Sequence, residues 1–462
     1  MIIFLGILFS ILFMICFAAH RIDKKKSNCI ILEKENLYTK RIYYFIIPTL
    51  LFVFLIGNYL TAGTFFRELF YKIENDFALD FHVFLSESVL NNYCYIENNQ
   101  GFNPPLIKII SLFIYRSFSP EYQLMFEQSS IYNTQQDIRL IVQAMLPFIF
   151  FIIIGMVLLC LIVFSHKTGN LFERWYYVFL ASVNIGIVFA IERGNYVIIA
   201  VPLSLFFVLN YNSNNKYIKE FSLISLAVAA GLKVYPCLLG VLLLKNKMWK
   251  ESMRTIFYGC VTLFGPFVFY GGFAGIIGFL SGLKGTGETS SRLGTLNMTS
   301  FFYTMLNMAK VPKSEIILQM GYLKIFAILL LLLAIVCLFT FKEEWKVVLM
   351  TVLLMILYSG TAHTYMLAFL IIPIFLFFNK EHNSSSLNYI YLILFIFCSG
   401  FFVSFPGNYI LELRTLGERL TRLMLLQQSS IFLLFTLLLI SGYWDFICKI
   451  SINFYKRDIN EQ

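Results

Sequence analysis

Charge is scarce in this sequence. Asp, Glu, Lys and Arg make up 13% of its 462 residues, against roughly 25% in soluble domains. That shortage excludes an ordinary soluble fold. The cysteines give no framework either. Nine of them (16, 29, 94, 160, 237, 260, 337, 398 and 448) are scattered, mostly in apolar runs, with no CxxC pair. A disulfide scaffold and a thiolate metal site are therefore not expected. The five histidines (20, 82, 166, 363 and 382) show no ligand spacing, so neither a metal nor a cofactor is expected. No basic residue precedes the apolar segment 1–19, and a cleaved signal peptide needs a positive start and a small-residue cleavage site. The segment reads as a retained helix with its N-terminus outside.

What is present is apolar and aromatic: 59% hydrophobic, 18% aromatic, with 51 Phe. The fold class is all-α, a polytopic membrane protein. A spanning helix needs about 20 apolar residues. The candidate spans are 2–19, 42–61, 141–164, 175–191, 195–211, 255–273, 321–341, 346–359, 362–378, 388–405 and 429–447, about eleven in all. The formal charge of +10 would raise nucleic acid as a partner in a soluble protein. Here the basic residues sit in short loops and set orientation instead, so the expected surrounding is a lipid bilayer and no nucleic acid. The segment 20–41 carries Arg21, Lys24, Lys25, Lys26, Lys34, Lys40 and Arg41 and is expected to be cytoplasmic. Alternating from there, the loops 62–140 and 274–320 fall outside and the C-terminus inside. No repeat or low-complexity linker divides the chain, so 1–462 reads as one transmembrane domain of the cell membrane.

One segment resists simple alternation. Residues 221–244 have lysines on both flanks and GLKVYP, with a charge and a helix breaker, at 231–236. A re-entrant hairpin explains both features, since non-helical backbone at membrane depth must be buried in protein or line a cavity. A single kinked span is the other reading.

Several polar constellations stand out. Glu74, Asp76 and Asp80 lie in the first outer loop, with apolar residues at helical spacing over 65–90. On a helix Asp76 and Asp80 share a face, which suits a general base or simply a solvated acidic surface. Residues 101–106, GFNPPL, bring the chain back toward the membrane, with proline suited to a first helical turn. Glu192, Arg193, Gly194 and Asn195 form a polar turn between apolar runs. Lys233 is costly in mid-segment, at about 2.5–3.5 kcal/mol on insertion scales, and points to an anion such as phosphate. His363 sits at an outer helix end. Residues 284–297, KGTGETSSRLGTLN, carry Arg292 as a lone cation in a Gly/Ser/Thr-rich loop that could close over a substrate or merely connect.

In this order the pieces resemble a known family: DFHVF at 80–84, NPPL at 103–106, Gly194-Asn195, then KVYP at 233–236 and a late outer histidine. The chain is similar to the polyprenol-phosphate-sugar-dependent glycosyltransferases of the C-type fold, the mannosyltransferase-like group that includes the phosphatidylinositol-mannoside mannosyltransferases. That group shows Asp-aromatic-x-Val-Tyr, Tyr-Pro-Pro-Leu, a Gly-Gln turn and Lys-x-x-Pro. Here Asn103 stands for Tyr and Asn195 for Gln. The resemblance covers about 42–380. It implies a hexosyltransferase, moving a sugar from a polyprenyl phosphate to a glycan or glycolipid acceptor on the outer face. Asp80 would be the catalytic carboxylate, with Asp76 in reserve. Lys233, Arg193, His363 and Arg292 would hold the donor phosphate, and Asn103, Asn195 and Tyr235 would contact substrate. No cofactor is implied. The alternatives are an O-antigen or capsule repeat-unit polymerase, leaning on Arg292, Arg414, Arg419 and Arg422, and a lipid-linked glycan transporter. A transporter of this kind often shows paired broken helices, and only one interrupted segment is visible.

Overall fold

A computed structural model describes residues 37–65, 77–90, 103–128, 142–288, 295–360, 362–379, 386–402, 409–413 and 418–460. The described residues are almost wholly helical. Helices α1 (Leu37–Leu60), α2 (Leu79–Leu90), α3 (Pro105–Arg116), α4 (Pro120–Gln128) and α5 (Val142–His166) come first. Next, α6 (Leu171–Ser182) and α7 (Ile185–Arg193) form one rod bent by 55°, followed by α8 (Val197–Asn210) and α9 (Lys216–Leu232). A 3-10 turn (Tyr235–Gly240) and α10 (Val241–Lys245) lead to α11 (Trp249–Phe264), α12 (Gly272–Glu288), α13 (Met298–Met308), α14 (Lys313–Thr340) and α15 (Glu344–Leu357). A second 3-10 turn (Thr364–Leu370) runs into α16 (Ile371–Asn379), then α17 (Ser386–Ser399). One antiparallel ladder, β1 (Tyr409–Leu413) with β2 (Glu418–Thr421), precedes α18 (Arg422–Asn460).

Hydrogen bonds between helix ends show which ends lie together. At one end, the Asn379 side chain reaches Lys167, Thr168 and the His166 carbonyl. There too His166 meets Asn210, Tyr211 donates to Glu344 and accepts from Asn246, and Lys245 donates to the Phe341 carbonyl. This end gathers the lysines. At the opposite end, Arg193 and Asn195 reach Asp80, Leu296 donates to the Ala362 carbonyl, and Gln428 donates to the Thr295 carbonyl. The chain passes repeatedly between these two ends.

Among the described residues, length and apolarity single out five helices able to cross a membrane: Lys40–Leu60, Met145–His166, Trp249–Phe269, Ser314–Thr340 and Arg422–Ile447. Counting the bent α6–α7 rod as one span makes six, fewer than the eleven expected. The segments 195–211, 346–359, 362–378 and 388–405 contain helices too short to qualify by themselves, and 2–19 lies outside the described residues. The reason is visible in the packing. α15 is buried on every side from Val347 to Leu357, so its apolar residues meet protein and its length need not match a bilayer. α14 instead exposes Ile317, Leu318, Tyr322, Ile325 and Leu329, an apolar outer surface that only lipid or another protein would cover.

Of the expected amphipathic helix over 65–90, residues 66–76 lie outside the described residues, and α2 covers the later part. It starts at Leu79, because Ala78 is left-handed, with φ 54°. That conformation strains an ordinary side chain and cannot continue a helix. Asp76 comes before Ala78 in the chain. Its own position, with that of Glu74, lies outside the described residues. The expected outer loop 274–320 is largely helical, as α12 and α13.

Segment 221–244 leaves and returns to the same end. α9 begins five residues after Tyr211, and Asn246 comes back to the Tyr211 hydroxyl at 2.8 Å. α9 stops at Leu232 because Pro236 has no N–H to give to the Leu232 carbonyl. The 3-10 turn and α10 then descend. This return lets α9 and α11 lie side by side in parallel: Glu220 meets Arg254 and Tyr258, and seven residues on the Ala227 carbonyl accepts from Thr262 at 2.7 Å. Gly231 permits the close approach, since a Cβ there would meet Leu106 Cδ2 at 2.8 Å and the Thr262 carbonyl at 3.1 Å. Single cysteines at Lys216 and Lys247 are expected to react with an impermeant thiol reagent from the same side of the membrane. Labelling from opposite sides would contradict the hairpin.

Candidate active site

The site is built where three stretches of chain end at one level. α2 contributes Asp80 in its first turn, where a carboxylate suits the positive end of the helix dipole. α7 ends at Arg193, capped by Gly194 in the left-handed conformation at φ 65°. Only glycine fits: a Cβ would sit 2.6 Å from Phe81 Cβ and 2.9 Å from Phe148 Cε2. The next residue, Asn195, fixes its own amide by accepting from Val197 N at 3.1 Å. The hairpin tip contributes Lys233, in extended backbone at the end of α9.

Arg193 forks onto the Asp80 carboxylate, Nη2 to Oδ1 at 2.7 Å and Nε to Oδ2 at 3.1 Å. Asn195 Nδ2 donates to Oδ2 at 2.6 Å. Two-point pairing of this kind is the strong form of an ion pair. The backbone adds a further tie, Ala78 N to the Glu192 carbonyl at 2.7 Å, so the turn before α2 is pinned to the turn after α7. Lys233 lies over the faces of Phe84 and Tyr365, Nζ to ring centroid 5.5 Å and 5.8 Å. Its charge also acts on Asp80. The exposed His363 packs on Tyr365, with rings 5.6 Å apart, and the buried Tyr235 hydroxyl has no hydrogen-bond partner among the described residues.

Burial pushes the Asp80 carboxyl toward the neutral acid. The Arg193 charge and its fork, the Asn195 amide and the Lys233 charge outweigh that and hold it below the usual carboxylate range. Asp80 is therefore ionised at neutral pH.

No family model matches this chain, and neither a curated protein nor a solved structure matches it.

Of the residues singled out by sequence, Asp80, Arg193, Asn195, Lys233, Tyr235 and His363 converge. Asn103 is buried in the lead-in to α3, which starts at Pro105 and packs against α2 and α9. Asp76 and Arg292 lie outside the described residues. Sequence reasoning missed Tyr365, whose ring lies under Lys233 and against His363. Its signal was its place two residues after His363, which puts it in the same turn. Phe84 was quoted only as a motif letter, and Lys108, fully buried one turn into α3, went unremarked. Among the described residues no group of His, Cys, Asp and Glu could hold a metal.

Beside Lys233 opens an apolar groove of about 720 Å³. Its walls come from α9, α10, α11, α14 and α15, and Leu226, Val234, Ile256, Leu263, Ile335 and Leu354 line it. Val234, the residue after Lys233, lines the groove at the hairpin tip.

The stabilisation from the Asp80 pair has a defined pH dependence. Its carboxyl titrates lower folded than unfolded, where about 3.9 is usual. The contribution is thus present above the unfolded value and lost as pH falls through the folded one. The difference in thermal midpoint between the native chain and Asp80→Asn, in detergent, should be large at neutral pH and shrink as pH drops below about 4. A difference that does not change with pH would remove the ion pair from the account.

Proposed function

We propose that this chain is a membrane glycosyltransferase that moves a sugar, a hexose, from a polyprenyl-phosphate donor to a lipid-linked or cell-surface glycan. The observation that carries the reading is one partly buried carboxylate flanked by two cations from separate stretches of chain, next to an apolar groove. Each component matches a part of the reaction. The carboxylate is kept proton-free and can accept a proton from a hydroxyl. The cations suit a phosphate leaving group, and in a water-poor site such charges stabilise developing negative charge strongly. The groove suits a hydrocarbon chain attached to that phosphate.

In the reaction, the acceptor hydroxyl gives its proton to Asp80 while its oxygen bonds to the anomeric carbon. The bond from that carbon to the phosphate oxygen breaks, and its electron pair leaves with the phosphate. Lys233 and Arg193 neutralise that charge, and His363 borders the same space through Tyr365. Tyr235 and Asn195 are the neutral donors at the site. An activated sugar already carried on a lipid needs no nucleotide site and no cofactor.

Orientation follows from charge. The end rich in lysine would be cytoplasmic by the positive-inside rule, which sets the Asp80 end at the outer face of the cell membrane. The eleven-span C-type architecture belongs to this same reading. Several of its spans would then be short or broken helices inside the bundle, which membrane proteins tolerate where neighbours satisfy the backbone.

Asp80→Asn should lower sugar transfer by about 10²–10⁴-fold, the usual range for a lost general base, in membranes supplied with polyprenyl-phosphate sugar. Lys233→Ala should weaken apparent donor affinity by about tenfold, near 1.4 kcal/mol. Full transfer by Asp80→Asn would remove the base assignment, and unchanged donor affinity in Lys233→Ala would remove the phosphate role.

A further inference from the structure

The Asp80 carboxylate is engaged before any substrate arrives. It receives two N–H groups from Arg193 and one from Asn195. A carboxylate offers about four acceptor positions, and a donated charge-assisted bond lowers its basicity as well as occupying it. In this arrangement Asp80 is ionised but a poor acceptor for a sugar hydroxyl's proton. General bases work best with a pKa near the working pH.

The three donors are not equally fixed. Asn195 is 1% exposed and its carbonyl oxygen is tied to Val197 N at 3.1 Å, so its amide stays where it is. Arg193 is the last residue of α7, and its side chain is 25% exposed against 15% for Asp80. A guanidinium fork fits phosphate as well as it fits carboxylate, and this one sits at the open side of the site. Lys233 stands by as a second cation across the rings of Phe84 and Tyr365. The groups acting on Asp80 are thus Arg193 and Asn195 from the α7–α8 turn and Lys233 from the hairpin tip. Tyr235 after that tip and Tyr365 from the second 3-10 turn feel its charge, and Glu192 adjoins Arg193 in the chain.

We propose that Arg193 changes partners during the cycle: the donor's phosphate draws its guanidinium off Asp80, and the carboxylate then opens to the acceptor hydroxyl. This rests on the glycosyltransferase reading above. It makes Arg193 a positioning residue for the base as well as a ligand for the leaving group. Once Arg193 has moved, Asp80 keeps the Asn195 bond that orients it, loses its nearest positive charge, and gains proton affinity from its burial. The acceptor's proton then passes to a carboxylate oxygen that Arg193 has vacated. When the phosphate departs, Asp80 releases its proton to water and the fork re-forms. The device imposes an order, donor before acceptor. It also protects the donor, because the base is weak whenever no phosphate holds Arg193.

The test uses the full chain in lipid nanodiscs with farnesyl phosphate methyl ester, a phosphate diester that stays singly charged across the neutral and acid range. A structure of that complex should show Arg193 on a phosphate oxygen and its separation from Asp80 lengthened from 2.7 Å to beyond ion-pair reach, about 4 Å. In solution, labelling of Asp80 by a water-soluble carbodiimide, read by mass spectrometry, should rise about tenfold when the diester is added, as expected for a carboxyl whose proton affinity has risen by about one pKa unit. Arg193→Gln should label at the high level with or without it. An Arg193 still forked on Asp80 in the complex, with labelling unchanged, overturns the exchange. Failure of the diester to bind at all sinks both the exchange and the donor class. If Arg193 stays put while Asp80→Asn still abolishes transfer, the base assignment stands and the exchange alone falls.

Discussion

The Asp80–Arg193 fork is the interaction on which the site depends. It joins α2, which follows the first long helix, to the end of α7, more than a hundred positions later in the chain. Both partners are largely withdrawn from water. A buried charge without its partner is costly, and removing one member of such a pair is far worse than replacing both. The surroundings therefore conform to the pair. Gly194 lets Phe81 and Phe148 come close behind it, the Glu192 carbonyl holds the turn before α2, and Asn195 fills the remaining side of the carboxylate.

The second constraint is the hairpin of α9 and α10. A lysine at membrane depth would ordinarily be expelled or neutralised. Here it sits at a helix end created by Pro236, facing aromatic rings and within the field of Asp80. The same chain break makes the apolar groove, because the descending 3-10 turn and α10 form one of its walls. Charge and groove thus have one origin, a proline that ends a helix partway through a bilayer-length segment. That common origin is why the proposed donor, a charged head on a hydrocarbon tail, fits the arrangement as a unit.

Much of the site was legible in the sequence, and the reasons are physical. Asp80, Arg193 and Lys233 are conspicuous because charge is rare in so apolar a chain, and each is expensive without a partner. Loop charge put Asp80 and Arg193 on one side, and Lys233 joined them only through the hairpin at 221–244. Tyr365 and Phe84 were not legible in the same way, since aromatic residues are abundant here and most serve packing. The fold was legible in class but not in count. Hydropathy cannot tell a helix facing lipid from one, like α15, buried wholly in protein. Nor does it register the left-handed Ala78 just before the helix of Asp80, or the 3-10 turn that replaces part of the segment 362–378. Asp76 and Arg292 fall outside the described residues.

The central claim is that one carboxylate, restrained by Arg193 until a phosphate arrives, performs the chemistry. The most direct measurement is the pH dependence of sugar transfer, because kcat/KM reports the free enzyme and kcat the donor-bound one. The acid limb of kcat/KM should lie below the usual carboxylate range, where Arg193 holds Asp80. The acid limb of kcat should lie at higher pH, by about one unit or more, since losing one close opposite charge shifts a carboxylate by 1–3 units. Coincident limbs, or limbs unchanged in Asp80→Glu, would contradict the account.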